Sequence, residues 1–273
     1  MGERKGLSVV VPVHNAFEEL QACLASVART TGPETQVIVI DDASTDTRIV
    51  PFVEAFMRTP GPRWRFIRQP QNVGFVATAN LGMRLAHGDV VLLNSDTEVT
   101  DGWLDRLAEC LASSADIATC TPWSNNGEIV SIPEFCKSNP VPRNATGIAN
   151  TIAETVGAEG GPRYPELPTA VGFCMAISRT AIEAIGGFDA QHFGRGYGEE
   201  NDFSLRARQK GLRNVLCDHA YVVHHGGRSF GPLGLKPDED SMGRLLERHP
   251  DYLQEVERFI QEDPLREWRA KLV

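Results

Sequence analysis

Short runs of β-branched and aromatic residues alternate with helically periodic segments along the first 121 residues, and this alternation constrains the fold more than any other feature. Such short apolar runs are typical of strands buried on both faces. We predict strands at residues 7–13, 37–40, 64–67, 90–93 and 117–121. The intervening periodicity predicts helices at 17–29, 48–57, 75–86 and 101–111. This order predicts an α/β fold with a doubly wound, mainly parallel, Rossmann-like sheet flanked by helices.

The rest of the chain is less regular. Pro, Asn, Gly and Ser dominate residues 123–167, where we predict one helix at 148–156. Further on, the patterns predict strands at 170–178, 215–216 and 221–223, a helix at 200–210, and helices in the tail 238–268. We find no internal repeat and no low-complexity linker, and 273 residues suit one large α/β domain. We therefore predict a single domain over residues 1–273.

Composition excludes several classes of protein. The formal net charge is -9, from 27 basic and 36 acidic residues, which argues against a nucleic-acid binder. The charged amino terminus does not resemble a signal peptide, and no apolar run approaches the roughly 20 residues of a membrane span. None of the six cysteines forms a Cys-x-x-Cys pair, which favours reduced thiols over a zinc site or disulfides. We expect a soluble, cytoplasmic protein.

Acidic and polar residues follow two of the predicted strands. Asp41 and Asp42 end the second strand, and Asn94, Ser95 and Asp96 follow the fourth. Ligands of such sheets bind beyond the carboxyl ends of the strands. Asp96 could coordinate a hard cation that bridges two phosphates, or it could cap the next turn. Asp42 could accept a hydrogen bond from a base N–H, while the following polar residues cap a helix.

Two more polar clusters lie in the second half. A predicted helix begins with the acidic residues Glu199, Glu200 and Asp202. Acids at this position either are stabilised by the positive end of the helix dipole or supply a general base. His224 and His225 end a predicted strand, so their side chains should point to opposite faces, and only one should join a given site. A neutral imidazole could complete a metal site begun by Asp96, and Arg228 could meet a phosphate.

Taken in order, these segments resemble glycosyltransferase family 2, whose members are inverting enzymes with a GT-A fold. Each segment is a weak signal alone, but the ordered set over residues 7–229 is specific. The matching segments are Val11-Pro12-Val13-His14-Asn15, Ile40-Asp41-Asp42-Ala43-Ser44-Thr45-Asp46, Asn72-Val73-Gly74-Phe75, Leu92-Leu93-Asn94-Ser95-Asp96-Thr97, Gly186-Gly187-Phe188-Asp189, Glu199-Glu200-Asn201-Asp202-Phe203-Ser204-Leu205-Arg206 and His224-His225-Gly226-Gly227-Arg228-Ser229.

The resemblance implies a role for each matching position. Asp96 would bind Mn²⁺ or Mg²⁺, with His224, or else His225, as a further ligand. Glu200 would be the catalytic base, with Glu199 and Asp202 as competitors. The nucleotide would lie against Pro12, Val13, His14, Asn15, Asp41, Asp42, Asn72, Gly74, Asn94 and Ser95. Residues 1–121 would then form a nucleotide-binding half, 122–235 an acceptor and catalytic half with irregular loops, and 236–273 a helical tail.

Two positions depart from the family pattern. Asn94 replaces the first acid of the Asp-x-Asp element, which puts one ribose or water contact in doubt, and Glu200 replaces an Asp, which lengthens the side chain by one methylene. The Gln-x-x-Arg-Trp element of processive synthases is absent, so we expect a single addition of a sugar.

The partners follow from the same resemblance. The donor would be a UDP, dTDP or GDP sugar, and the acceptor a hydroxyl of a glycan, a glycolipid or another molecule. The C-terminal helices are compatible with a homodimer or with peripheral membrane contact. A non-catalytic nucleotide- or sugar-binding module and a sugar nucleotidyltransferase are the alternatives, although the second would need a Gly-rich loop after the first strand. A nicotinamide oxidoreductase would need Gly-x-Gly-x-x-Gly, which follows none of the strands.

Overall fold

The central feature of the computed structural model, which describes residues 6–194, 196–226 and 239–272, is one mixed β-sheet. Nine strands are present among the described residues: β1 (Ser8–Val13), β2 (Gln36–Asp41), β3 (Arg63–Arg68), β4 (Val90–Leu93), β5 (Thr97–Val99), β6 (Ile117–Trp123), β7 (Glu166–Leu167), β8 (Cys174–Ile177) and β9 (Arg213–His224). The main path through the sheet is β3-β2-β1-β4-β8-β6-β9-β5, and β7 pairs separately with β9.

The strands on the β3 side of the sheet are parallel, as the sequence predicts. β1 pairs with both β2 and β4, and β2 pairs with β3, all in parallel register. β8 is antiparallel to β4 and to β6, and β6 is parallel to β9. β5 and β7 add antiparallel pairs to β9. The arrangement is therefore α/β and mainly parallel, with antiparallel strands inserted in the second half.

Helices cover both faces of this sheet. Their bounds are α1 (Phe17–Thr30), α2 (Ile49–Phe56), α3 (Phe75–Leu85), α4 (Trp103–Ser113), α5 (Ala145–Ala158), α6 (Arg179–Ile185), α7 (Ala190–Phe193), α8 (Glu199–Gln209), α9 (Glu239–Arg248), α10 (Tyr252–Glu262) and α11 (Arg266–Leu272), with a 3₁₀ turn at Glu128–Val130. One buried apolar cluster lies between the sheet and α1, α4 and α5, and a second lies on the opposite face under α3 and α8. None of these helices combines the length and apolar character that a bilayer crossing requires.

The second half of the sheet differs from the sequence-based expectation. A single strand, β9, covers residues 213–224, where the sequence predicts two short strands. The gap between the two predicted strands is due to Asp218, a fully buried carboxylate in the middle of β9. Its Oδ2 accepts hydrogen bonds from the backbone N–H of Arg163 at 3.0 Å and from Trp268 Nε1 at 3.2 Å. These partners let a charged residue occupy a buried strand position, which breaks the apolar pattern without ending the strand.

Other boundaries shift as well. β8 is shorter than the predicted strand at 170–178, and α5 is longer than the predicted helix at 148–156. Asn144 explains the early start of α5, because its side chain caps the helix by accepting a hydrogen bond from Gly147 N at 2.9 Å.

Gly82 allows α3 to approach β1 closely. A Cβ at position 82 would lie 2.2 Å from Val10 Cγ1, and Val10 is fully buried. We expect Gly82→Ala to lower the free energy of unfolding by about 1–3 kcal/mol, because overpacking outweighs the gain in helix propensity. Gly157 in α5 is the matched control, since nothing lies within 4 Å of a Cβ built there. Gly157→Ala should stabilise the protein by up to about 1 kcal/mol. Urea unfolding of both variants checks the expectation, and equal effects would contradict it.

Candidate active site

The polar residues that end β1, β2, β4 and β9 lie along one edge of the sheet. Parallel strands bring His14, Asp42 and Asn94 to the same carboxyl edge. β9 joins this edge because β5 pairs with it, with Thr97 opposite His224. β8 runs the other way, so the residues before it lie beside the end of β4: Asn94 N donates to Phe173 O at 2.9 Å.

Asp42 closes a turn at the end of β3. Its Oδ1 accepts hydrogen bonds from Val73 N at 2.8 Å and Gln69 Nε2 at 3.0 Å, and its Oδ2 accepts one from Gly74 N at 2.8 Å. A carboxylate has about four lone-pair positions, so Asp42 can accept one further hydrogen bond. Gly74 has a φ of 86°, which favours glycine at this turn.

The neighbouring loops are tied to the same edge. His14 Nδ1 lies 2.9 Å from Asp42 O, and the side-chain amide of Asn72 lies 3.2 Å from that nitrogen. Asn15 Oδ1 accepts from the backbone N–H groups of Thr45 and Asp46. Asp41 is fully buried, and its Oδ1 accepts from Ser44 N at 2.9 Å. Asn15 and Asp41 therefore hold the loops together, while the ring of His14 and the amide of Asn72 are part-buried at the edge.

Asp96 and His224 face each other across the end of β4 and β9. Asp96 is 3% exposed, and its Oδ1 lies 3.6 Å from His224 Nε2. The other ring nitrogen of His224, Nδ1, lies 2.6 Å from the carbonyl oxygen of Asn126. Because a carbonyl only accepts, Nδ1 carries the proton in the neutral ring, and the lone pair of Nε2 faces Asp96. A carboxylate oxygen and an imidazole lone pair at this separation fit two ligands of one divalent cation.

His225 points elsewhere. Its Nε2 lies 2.8 Å from Glu98 Oε1, while its backbone N–H donates to Asp96 O at 2.9 Å. Of the two histidines that the sequence leaves open, the geometry therefore favours His224 as the partner of Asp96. Arg228, the alternative phosphate contact, lies outside the described residues.

Glu199 and Glu200 begin α8 next to this edge. Burial, together with a smaller effect of the nearby charge of Glu128, raises the pKa of Glu200 to about 7, although backbone hydrogen bonds oppose the shift. Burial, followed by the charge of Glu200, raises the pKa of Glu199 well above its ordinary value. Glu199 is 6% exposed, whereas Glu200 is part-buried, with a Cγ that lies 3.7 Å from the Cβ position of Gly172. Glu200 is thus the more accessible of the two carboxyls.

Glu128 is a further candidate site residue, which the sequence analysis did not identify. It is exposed and has a φ of 51°, an uncommon conformation for a residue other than glycine. Its charge raises the pKa of both Glu200 and His224. Glu200 packs against Gly172, and the next residue, Phe173, stacks on His224, so the two groups lie near each other. Burial lowers the pKa of His224, but the hydrogen-bonding position and charge of Asp96 outweigh it and hold this pKa above its ordinary value. The polar run after Trp123 was the available signal, because it also follows a strand end.

Asp202 lies in an ionic network between α8 and the end of α9. Its carboxylate is fully buried and contacts Arg206 Nε at 2.7 Å, Arg248 Nη1 at 3.1 Å and His249 Nε2 at 3.0 Å. Arg206 also donates to the carbonyl oxygens of Ile185 and Gly187. The network joins α8 to α6 and α9, and both carboxylate oxygens of Asp202 are engaged in it. The geometry therefore favours a structural role for Asp202, and its role as base stays a prediction.

We expect Asp202→Ala to lower the free energy of unfolding by about 3 kcal/mol, because it leaves the part-buried Arg206 without its carboxylate. Asp101, which is exposed, provides the control: Asp101→Ala should change the stability by less than about 0.5 kcal/mol. Chemical denaturation measures both. Similar stabilities for the two variants would contradict the structural role.

No complete metal-binding cluster of three His, Cys, Asp or Glu side chains is present in residues 6–194, 196–226 and 239–272. Asp96 and His224 form a pair, so a cation held there would need further ligands, which a diphosphate can supply through its oxygens. The donor set of one carboxylate and one imidazole suits Mn²⁺, and Mg²⁺ less well.

Comparisons with known proteins agree with this geometry. A model of the family described as "Glycosyl transferase family 2" matches residues 8–186. An uncharacterized protein of Mycobacterium tuberculosis is 26% identical over 228 residues, covering 82% of this chain and 75% of the relative.

Two solved structures share the fold. GalNAc-T7 with UDP, GalNAc and Mn²⁺ superposes with a TM-score of 0.66 and 17% identity, over 98% of this chain and 55% of that one. Staphylococcus aureus TarS with UDP-GlcNAc gives a TM-score of 0.62 and 17% identity, over 92% of this chain and 71% of that one. This chain spans only about half of the GalNAc-T7 chain.

The fold is that of the GT-A glycosyltransferases. The chain belongs to glycosyltransferase family 2 and is a transferase enzyme. These findings confirm the sequence-based assignment of family and fold, while the roles of individual residues stay predictions.

Proposed function

We propose that this enzyme transfers one sugar from a nucleotide-diphosphate donor to an acceptor hydroxyl, with inversion at the anomeric carbon. The observation that carries the proposal is the facing pair of Asp96 and His224, with Glu200 packed against Gly172, whose neighbour Phe173 stacks on the ring of His224. Asp96 and His224 could thus hold a cation that neutralises a leaving diphosphate, and Glu200 has a carboxyl suited to accept a proton.

The nucleotide would lie at the ends of β1 and β2. Asp42 has one lone-pair position left for a base N–H, which uracil, thymine and guanine all offer. His14 and Asn72 are part-buried at this edge and would line the same pocket. Pro12, Val13, Asn15, Asp41, Gly74, Asn94 and Ser95 would shape it. Because GalNAc-T7 and TarS are solved with UDP or UDP-GlcNAc, a UDP sugar is the donor to test first, with dTDP and GDP sugars next.

Asp96 and His224 would hold Mn²⁺ or Mg²⁺. When bound, such an ion neutralises the charge that develops on the departing diphosphate. Asp96 supplies a carboxylate from a loop fixed by β4, and His224 supplies Nε2 while Asn126 holds Nδ1. GalNAc-T7, solved with Mn²⁺, supports this choice of ion.

Glu200 would act as the base. It takes the proton from the acceptor hydroxyl as that oxygen forms its bond to the anomeric carbon. The bond between that carbon and the diphosphate oxygen breaks on the opposite side, and its electron pair leaves with the diphosphate. A carboxyl with a pKa near the working pH is suited to this exchange. Most of the catalysis would come from positioning and electrostatics.

Residues 1–121 would bind the nucleotide, and residues 122–235 would supply the catalytic groups and the acceptor contacts. The acceptor would be a glycan, a glycolipid or another hydroxyl compound, with bacterial surface-polysaccharide assembly as the setting that family analogy suggests. We also propose a cytoplasmic location, with the C-terminal helices compatible with a homodimer or with contact at the membrane surface.

Release of free nucleotide from a panel of UDP, dTDP, GDP and CDP sugars, with and without Mn²⁺, tests the proposed function. We expect release from at least one donor, and a large increase with Mn²⁺. A binding module without activity would instead show a Mn²⁺-dependent rise in melting temperature with a nucleotide and no release. That result would overturn the proposed reaction.

The pH dependence of the reaction follows from Glu200. Since the pKa of its carboxyl is raised to about 7, kcat/KM should fall about tenfold per pH unit below that value, as the base becomes protonated. The profile should be measured at saturating Mn²⁺, so that protonation of metal ligands contributes little. A flat profile between about pH 5.5 and 7 would contradict the role of Glu200.

A further inference from the structure

We propose that Asn125, Asn126 and Asn139 form an asparagine clamp that positions His224 for the metal, an inference that rests on the proposed function. None of the three is among the residues that the family resemblance marks. They lie in the irregular segment after β6, where the sequence predicts only loops.

The first part of the clamp holds the backbone of His224. β9 lies between β5 and β6, but β6 ends at Trp123, before the end of β9. His225 N donates to Asp96 O on the β5 side, so the N–H and C=O of His224 face the side where β6 has ended. The carboxamide of Asn125 takes the place of the missing strand. Its Oδ1 accepts from His224 N at 2.9 Å, and its Nδ2 donates to His224 O at 3.0 Å.

The second part orients the ring of His224. Nδ1 donates to Asn126 O at 2.6 Å, which leaves the lone pair of Nε2 towards Asp96. The ring of Phe173 stacks on the imidazole, with centroids 5.2 Å apart and planes inclined by 16°. One bond to the ring and one stacked face fix its rotation, so consecutive asparagines control both the backbone and the side chain of His224.

The clamp is itself held rigidly. Asn125 is 2% exposed, and its backbone oxygen accepts from Asn139 N at 2.9 Å and from Asn139 Nδ2 at 3.1 Å. Asn125 Nδ2 donates in return to Asn139 O at 3.1 Å. Gly226, the residue after the histidines, has a φ of 69°, which favours glycine, and its lack of a Cβ leaves room for the side-chain amide of Asn126.

Only a carboxamide satisfies these partners. An aspartate at position 125 has the same shape and still accepts from His224 N, but it cannot donate to the oxygens of His224 and Asn139. Groups that orient metal-bound histidines typically change metal affinity by about 10–100-fold when they are replaced. We therefore expect Asn125→Asp to weaken binding of Mn²⁺, measured with UDP present, by about that factor.

Asn214 provides a matched control. It is a buried asparagine at the opposite end of β9, with one accepted bond from Thr119 Oγ1 at 2.8 Å and one donated bond to Ser204 O at 3.1 Å. Asn214→Asp should also lower the melting temperature, because it loses one buried donated hydrogen bond where Asn125→Asp loses two. Its affinity for Mn²⁺ should stay within about twofold of the wild-type value, since it is remote from the pair of Asp96 and His224.

The test measures Mn²⁺ binding by electron paramagnetic resonance on the wild type, Asn125→Asp, Asn214→Asp and His224→Ala. The clamp is supported if Asn125→Asp weakens binding and Asn214→Asp does not. Equal affinities of Asn125→Asp and the wild type, with His224→Ala strongly weakened, would overturn the clamp and leave the proposed function intact. If His224→Ala binds as tightly as the wild type, or the wild type does not bind, the proposed metal site fails instead.

A measurement without metal tests the asparagine clamp independently of the proposed metal site. Ring-nitrogen NMR shifts at about pH 9, where histidine is neutral, report which nitrogen carries the proton. We expect the proton on Nδ1 of His224 in the wild type and in Asn214→Asp, and a mixture of the two tautomers in Asn125→Asp. A proton on Nε2 in the wild type would overturn the clamp, whatever the metal does.

Discussion

Replacing Asp96 by alanine is expected to lower kcat/KM by about a thousandfold at a fixed Mn²⁺ concentration, because a metal ion contributes several kcal/mol to stabilising a leaving group. Asp96 is the carboxylate that faces His224, and its loop is fixed by the end of β4. The loss should be mainly in transition-state stabilisation, so kcat should fall and should not recover at higher donor concentration.

The control for this experiment is Asp101→Ala. Asp101 is an exposed acid that lies five positions further along the chain, so the same substitution there changes the net charge equally. We expect it to retain activity within about twofold. Steady-state kinetics of donor turnover, with circular dichroism to confirm folding, compare the two. A folded Asp96→Ala variant within about tenfold of the wild type would contradict the role of Asp96.

Replacing Glu200 by glutamine is expected to lower kcat by about 10²–10⁴-fold while the donor still binds. Glutamine keeps the size and the hydrogen-bonding capacity of the side chain but cannot take up the acceptor proton. The measurement is sugar transfer to an accepted hydroxyl compound, together with UDP binding in the presence of Mn²⁺. Near-normal turnover of a folded variant would contradict the assignment.

The same substitution should stabilise the protein above pH 7. Because the pKa of Glu200 is raised from 4.5 to about 7, the folded state binds more protons than the unfolded state between these values, and stability falls as the pH rises. Glu200→Gln removes this penalty, so its melting temperature should exceed that of the wild type by about 3 °C or more at pH 8, and by less near pH 5. A gain in stability is common when a residue of a catalytic site is replaced at the expense of activity.

Two further variants test whether Glu200 is the base. Glu183 lies on α6, is exposed, and provides the control, since Glu183→Gln should change neither turnover nor stability. Glu199→Gln decides between the neighbouring acids. If Glu199→Gln loses turnover and Glu200→Gln keeps it, Glu199 is the base.

The sequence predicted the first half of the sheet well for a clear physical reason. β1, β2 and β4 are buried on both faces, so their apolar runs are uninterrupted and their polar ends stand out. Because β1, β2 and β4 are parallel, their carboxyl ends meet at one edge of the sheet. The pattern of strands was therefore enough to predict that Asp42 and Asp96 lie at the same edge. His224 could be placed beside Asp96 only through the family resemblance, because β5, the three-residue strand that pairs β9 with this region, has no distinct pattern.

The second half of the sheet and the loops beside it could not be predicted in the same way. Glu128 and Asn125 follow β6 in a segment without periodicity, and the bonds that place Asn125 are long-range contacts to His224 and Asn139. Local sequence does not encode which backbone groups a strand end leaves unpaired. Likewise, the preference for His224 over His225 depends on which face of β9 meets Asp96, and the structural interpretation of Asp202 depends on Arg248 and His249, at the end of α9.

The most direct test of the central claim is a crystal of the protein grown with UDP and Mn²⁺, measured for anomalous scattering from manganese. We expect one strong anomalous peak between the carboxylate of Asp96 and Nε2 of His224, on the same side as Glu200. A manganese peak elsewhere, with UDP bound at the edge of the sheet, would contradict it.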